Sequence, residues 1–207
     1  MKLHQLNYLF LILLSNLLQA APQVQFVDIT TSTGINFKHL NGAKNDYQLP
    51  ETLGAGGAFF DYDNDGYLDL YLINSGDLDN QEISTNSDQS SNTSVLYRNN
   101  GDGTFKDVTV SAGISNSNNY GQGAAAADYD NDGDTDLYVT NFGHNKLYQN
   151  NGDGTFLEVS KDAGVADPSW STSATFFDYD RDGYLDLYVV NYVVYSLTAS
   201  YRKCYDD

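Results

Sequence analysis

Along most of the chain, apolar residues come in runs of five to seven rich in Val, Leu, Tyr and Phe. The runs are cut by Asn-Gly, Asp-Gly and Gly-Gly pairs, and no window sustains the three-and-four spacing of an amphipathic helix. That pattern predicts short strands joined by tight turns. Asn100-Gly101-Asp102-Gly103 and Asn151-Gly152-Asp153-Gly154 supply the positive-φ residues such hairpins need.

The pattern also repeats. Three segments open on F-x-acid-[IV]-[ST] and end in Gly plus a branched residue: Phe26–Ile35, Phe105–Ile114 and Phe156–Val165. Each leads into a small or aromatic stretch, an acidic loop, and a strand ending at Asn74, Asn141 or Asn191. The first two copies add a hairpin, LYRNNGDGTF (Leu96–Phe105) and LYQNNGDGTF (Leu147–Phe156), before which the third copy stops. The repeats therefore run about 26–104, 105–155 and 156–207, within one unit over 21–207. Two insertions lengthen the first copy, His39–Leu53 and the polar Gly76–Ser94, and both read as surface loops, the second as mobile. About four antiparallel strands per repeat is the content of one β-propeller blade, so the expected class is all-β, with about two and a half blades present. A β-sandwich is the alternative architecture, but it does not require near-identical loops at a fixed period.

Composition sharpens this picture. Of 28 acidic residues only Glu51, Glu82 and Glu158 are Glu, and the remaining 25 are Asp, which prefers turns, caps and metal loops over helices. A formal net charge of −18 argues against nucleic acid and anionic membrane surfaces as partners. The 41% hydrophobic content argues equally against disorder. Residues 1–20 carry Lys2, His4, an apolar run at Tyr8–Leu14 and small residues at Ala20-Ala21, the layout of an export signal. An uncleaved anchoring helix is the alternative, although the run is too short to span a bilayer comfortably. The expected destination is the secreted, cell-surface or periplasmic space. Cys204 is the single cysteine, which excludes a disulfide within the chain.

The acidic loops read DYDNDGYLD, DYDNDGDTD and DYDRDGYLD, with carboxylates at positions 1, 3, 5 and 9 and Gly at 6. The residues are Asp61, Asp63, Asp65 and Asp69; Asp128, Asp130, Asp132 and Asp136; and Asp178, Asp180, Asp182 and Asp186. Four carboxylates in nine residues repel one another unless a cation lies between them. A hard cation taking six to eight oxygens suits such a cage, which points to Ca²⁺; Mg²⁺ demands stricter geometry and keeps more water. Transition metals would favour His or Cys, absent from all three loops. An EF-hand is excluded, because its twelfth position would need a bidentate Glu and is here Leu72, Val139 or Val189. The main-chain carbonyl at position 7, from Tyr67, Asp134 and Tyr184, is the expected fifth ligand.

Other polar residues have plainer readings. Asp102 and Asp153 are turn formers, while Asp28, Asp107 and Glu158 anchor local hydrogen bonds at strand ends. His39 and His144 stand apart from any nucleophile or metal motif and are not read as catalytic. Trp170 and the loop tyrosines Tyr62, Tyr129 and Tyr179 are packing residues rather than a sugar platform. Asn92-Thr93-Ser94 is a glycosylation sequon.

The loops, with the Gly/Ala stretch before them and the D-L-Y strand after them, resemble FG-GAP/VCBS repeats, the calcium-binding blades of the integrin α-chain propeller. LPETLGAGGAFFDYDNDGYLDLY, LYVTNFGHNKLYQNNGDGTF and WSTSATFFDYDRDGYLDLYVVNYV more closely resemble the cartilage acidic protein (ASPIC/UnbV) family of secreted proteins. The resemblance implies a seven-bladed ring with calcium in the hairpin loops, and no catalytic residues. Since a ring needs at least four blades, the chain is expected to be part of a longer protein, with Cys204 pairing beyond its end. Assembly with other chains is the alternative. The expected function is a binding or adhesion scaffold for an extracellular protein or glycan. The alternative is a propeller carried by, or hosting the site of, a secreted polysaccharide-acting enzyme.

Overall fold

A computed structural model describes residues 24–44, 48–78, 93–116 and 119–197 of the chain. The leader at 1–20, Asn92 of the sequon, Cys204 and most of the 76–94 insertion lie outside the described residues.

Among the described residues, the apolar runs form ten strands in three antiparallel sheets. The first sheet has the order β1 (Gly57–Phe60), β2 (Asp69–Leu72), β3 (Val95–Asn99) and β4 (Phe105–Asp107). The second repeats it with β5 (Tyr120–Ala127), β6 (Asp136–Phe142), β7 (Lys146–Asn150) and β8 (Phe156–Glu158). The third pairs β9 (Ser171–Phe177) with β10 (Asp186–Asn191). Among the described residues, helix is confined to one four-residue turn, α1 (Thr109–Ala112), and two 3₁₀ turns at Thr30–Ser32 and Leu49–Thr52. The fold is all-β.

The first strands of the sheets lie against one another. Gly56 donates its amide to Gln122 O at 2.8 Å, and Gly123 in β5 stands against Thr172 of β9. Sheets that meet through successive first strands fan around a common axis, as propeller blades do, instead of stacking face to face as in a sandwich. Between the first two sheets lies the core, built on Phe60, Tyr71, Ile73, Leu96, Leu137 and Val139.

The sheets divide the chain differently from the sequence repeats. The F-x-acid segment that opens the second copy is β4, the outer strand of the first sheet, and its counterpart in the third copy is β8, the outer strand of the second. The residues after it explain its conservation of type between copies. Thr109 donates its hydroxyl to Asp107 and accepts the Leu96 amide at 2.9 Å; Ser160 does the same between Glu158 and Leu147 N. One hydroxyl thereby satisfies a buried amide of the third strand. Phe26-Val27-Asp28 of the first copy joins no strand, for no sheet precedes it among the described residues, and Phe26 is almost fully exposed.

Trp170 is buried, with the rings of Phe142, Tyr192 and Tyr195 5.2–5.5 Å away, so it packs as expected. Tyr62 is likewise buried, stacked 6.1 Å from Phe156 of the next sheet. Tyr179 differs, being exposed. The neighbouring hairpin that covers Tyr62 has no counterpart beside Tyr179 among the described residues.

Candidate metal centres

The three acidic loops join the first and second strands of the three sheets and so emerge at the same end. Each turns through a left-handed residue at position 4 (Asn64, Asn131 and Arg181) and again at the position-6 glycine, where φ is 87° to 97°. A Cβ is strained in that second conformation, which is why Gly recurs there.

Backbone amides then fix the carboxylates at positions 1 and 9. Asp61 accepts from Asp65 N and Gly66 N at 3.1 and 2.9 Å; Asp128 and Asp178 repeat this pair of bonds in their own loops. At position 9, Asp69 accepts from Tyr62 N at 3.0 Å and from Asn99 N at 2.7 Å, tying loop to hairpin. Asp136 does the same with Tyr129 N and Asn150 N. Asp186 accepts from Tyr179 N at 2.8 Å.

The outcome is three carboxylate groups: Asp61, Asp63 and Asp69; Asp128, Asp130 and Asp136; Asp178, Asp180 and Asp186. Within each, one oxygen from every residue lies within 4.8 Å of the others. Two oxygens on one Ca²⁺, each at 2.3–2.6 Å, stand at most about 5 Å apart, so the triads fit that ion. Asp63 Oδ1 and Asp130 Oδ1 are buried without a hydrogen-bond partner, although the opposite oxygen of each is engaged. Buried acceptors are nearly always satisfied, and a cation in the triad would satisfy these two.

The position-5 aspartates stand outside the triads. Asp65, Asp132 and Asp182 each accept the position-7 amide of their own loop at 2.8–2.9 Å. At position 7 the Tyr67 ring packs on Gly101, and the Asp134 carboxylate accepts Asn64 Nδ2 from the preceding loop at 2.6 Å. Asn131 reaches on to Gly183 O at 3.2 Å, so neighbouring loops are linked through position 4. Tyr184 is exposed.

Burial pushes the Asp69 and Asp136 carboxyls up to about 6, with the like charges of the neighbouring aspartates adding to it; the two backbone amides that each accepts work the other way. A carboxylate so reluctant to ionise without a partner is well placed to gain from a cation. Away from the loops, Asp102 and Asp153 close their turns onto Thr104 and Thr155, and Asp28 accepts Thr30 N. His39 contacts Ser75 Oγ at 3.0 Å, and His144 contacts Ala166 O at 3.1 Å.

Two further residues shape the triads. Arg98 of β3 donates Nε to Asp63 at 2.5 Å and Nη2 to Asp65 at 2.9 Å, while Gln149 of β7 donates to Asp130 at 2.6 Å. Only the difference between LYRNN and LYQNN marks this position in the sequence, and nothing in either hairpin says that it faces a loop.

The model of the FG-GAP-like repeat matches residues 61–139 and 128–189, together more than half of the 207 residues. The chain belongs to the FG-GAP-like repeat family. Both matches open on position 1 of an acidic loop and end in the strand after the next loop, so the matched FG-GAP unit runs from one triad through the following one. No curated protein matches the chain. Among the described residues, no helix of this FG-GAP protein is long and apolar enough to cross a membrane.

Proposed function

We propose that this FG-GAP repeat chain is an exported calcium-binding propeller segment of the cartilage acidic protein (ASPIC/UnbV) type. It acts as a non-catalytic binding or adhesion scaffold for an extracellular protein or glycan. The observation that carries the reading is the recurrence of one carboxylate triad in three loops, with a buried, unpartnered Asp oxygen in two of them. Calcium would be held by the triads, with the position-5 carboxylates and the carbonyls of Tyr67, Asp134 and Tyr184 as further donors. Its chemistry is structural: it cancels repulsion inside each loop and locks the hairpin between first and second strands. The export signal at residues 1–20 and the charge of −18 support an extracytoplasmic site of action, where free calcium is high.

Binding only to the folded state stabilises by RT ln(1 + [L]/Kd), about 2.7 kcal/mol per site at a hundredfold excess over Kd. Chelator-stripped protein should therefore take up calcium and melt higher in its presence. Asp130→Ala should remove one site, whereas Asp153→Ala, which alters only a turn, should leave the stoichiometry unchanged. If millimolar calcium produced neither uptake nor a melting shift, the reading would fail. Binding without turnover on panels of glycans and matrix proteins supports the scaffold; turnover of any of them overturns it.

A further inference from the structure

We propose that Arg98 makes the calcium site of the first loop weaker than that of the second, so that the protein loads calcium in graded steps. The inference rests on the calcium reading above. Arg98 and Gln149 occupy the same place in their sheets, the fourth residue of β3 and of β7. Each holds the outer oxygen of a position-3 aspartate and leaves the inner oxygen, Asp63 Oδ1 or Asp130 Oδ1, buried and unpartnered. Both side chains thus orient a triad carboxylate in the same way. They differ in charge.

Arg98 is a permanent cation, and its fork also takes Asp65, whose other oxygen accepts Tyr67 N. Asp65 must leave the guanidinium before it can turn to a cation. Lys106 stands opposite Arg98 in register, where the second sheet places Leu157 opposite Gln149. Position 7 adds to the contrast, being Tyr67 in the first loop and Asp134 in the second. The first site therefore sets four aspartates against a bound guanidinium, and the second sets five aspartates against a neutral amide. Calcium affinity in oxygen cages is tuned by ligand charge count, and a fixed positive charge a few ångströms away opposes a divalent ion directly. Because Asp63 Oδ1 remains open, the first site is weakened and not abolished.

The test uses the full chain in dilute solution, carrying Asp180→Ala to silence the third triad, and calcium competition against an indicating chelator. Two steps are expected, their Kd values at least about tenfold apart. Arg98→Gln should bring the weaker step to within about threefold of the tighter. Gln149→Arg should weaken the tighter step instead. A melting curve in chelator checks that each variant keeps its fold, and rising salt should narrow the gap. Two coincident steps that Arg98→Gln leaves unchanged would overturn the role of Arg98 while leaving the calcium reading intact. Absence of any uptake would overturn both.

Discussion

Asp69 and Asp136 are pulled in two directions. They are fully buried, and each receives two backbone amides that favour the charge, yet burial wins and both titrate near 6, against an ordinary 3.8. In calcium-free protein the folded state therefore binds more protons than the unfolded state between about pH 4 and 6. The stability from protonation is present below the unfolded value and lost as pH rises through 6. Chelator-treated protein should accordingly melt higher at pH 5 than at pH 7, and Asp136→Asn should flatten that slope. The carboxyls of Asp28, Asp102 and Asp167, lowered by hydrogen bonds, change charge below this window and do not mask it. With saturating calcium the trend reverses, because protons then compete with the ion. Calorimetry across that pH range decides the matter; a calcium-free melting temperature that falls steadily from pH 7 to 5 would count against it.

At the level of elements, β5 is the wedge on which neighbouring sheets meet. A Cβ at Gly121 would lie 2.4 Å from Ile73 Cγ2 and 2.8 Å from Asn74 O, on the first sheet's side. One at Gly123 would lie 2.7 Å from Thr172 O, on the third sheet's side. The strand register slips between these two glycines, so each serves its own neighbour. Because the obstacle at Gly123 is backbone, it cannot rotate away. Gly123→Ala should cost about 1–3 kcal/mol, as small-to-large changes in tight packing do. In urea this reads as a lower midpoint at unchanged slope. An unaltered midpoint would mean that the first strands do not approach so closely.

For the molecule as a whole, the stack of sheets is open at both sides among the described residues. Phe59 of β1 is 64% exposed, Tyr188 of β10 is 60% exposed, and β10 has β9 as its single strand neighbour. Repeat architectures bury such faces against the next repeat, and a free Tyr- and Val-rich edge is a template for strand addition. The chain without its first twenty residues should therefore self-associate as its concentration rises, with or without calcium. Sedimentation velocity should show this, and Tyr188→Lys with Val190→Lys should reduce it by charging the open sheet. A monodisperse monomer at every concentration would show that these faces need no cover.

Much of this protein is legible in local sequence, because its strands, turns and carboxylate loops are each set by residues within about ten positions of one another. The Asn-Gly-Asp-Gly hairpins, the position-6 glycines and the convergence of Asp61, Asp63 and Asp69 belong to that class. Other features depend on contacts between distant segments. The sequence does not say that Gly56 donates its amide to Gln122 of the next sheet. Nor does it say that Asp65 turns to Arg98 and away from the triad, or that Tyr62 is buried where Tyr179 is exposed. In each case the partner is some thirty or more residues away or belongs to a neighbouring sheet. Short-range spacing specifies the loops, whereas the packing of one sheet on the next decides which of their side chains are buried, paired or left open to a cation.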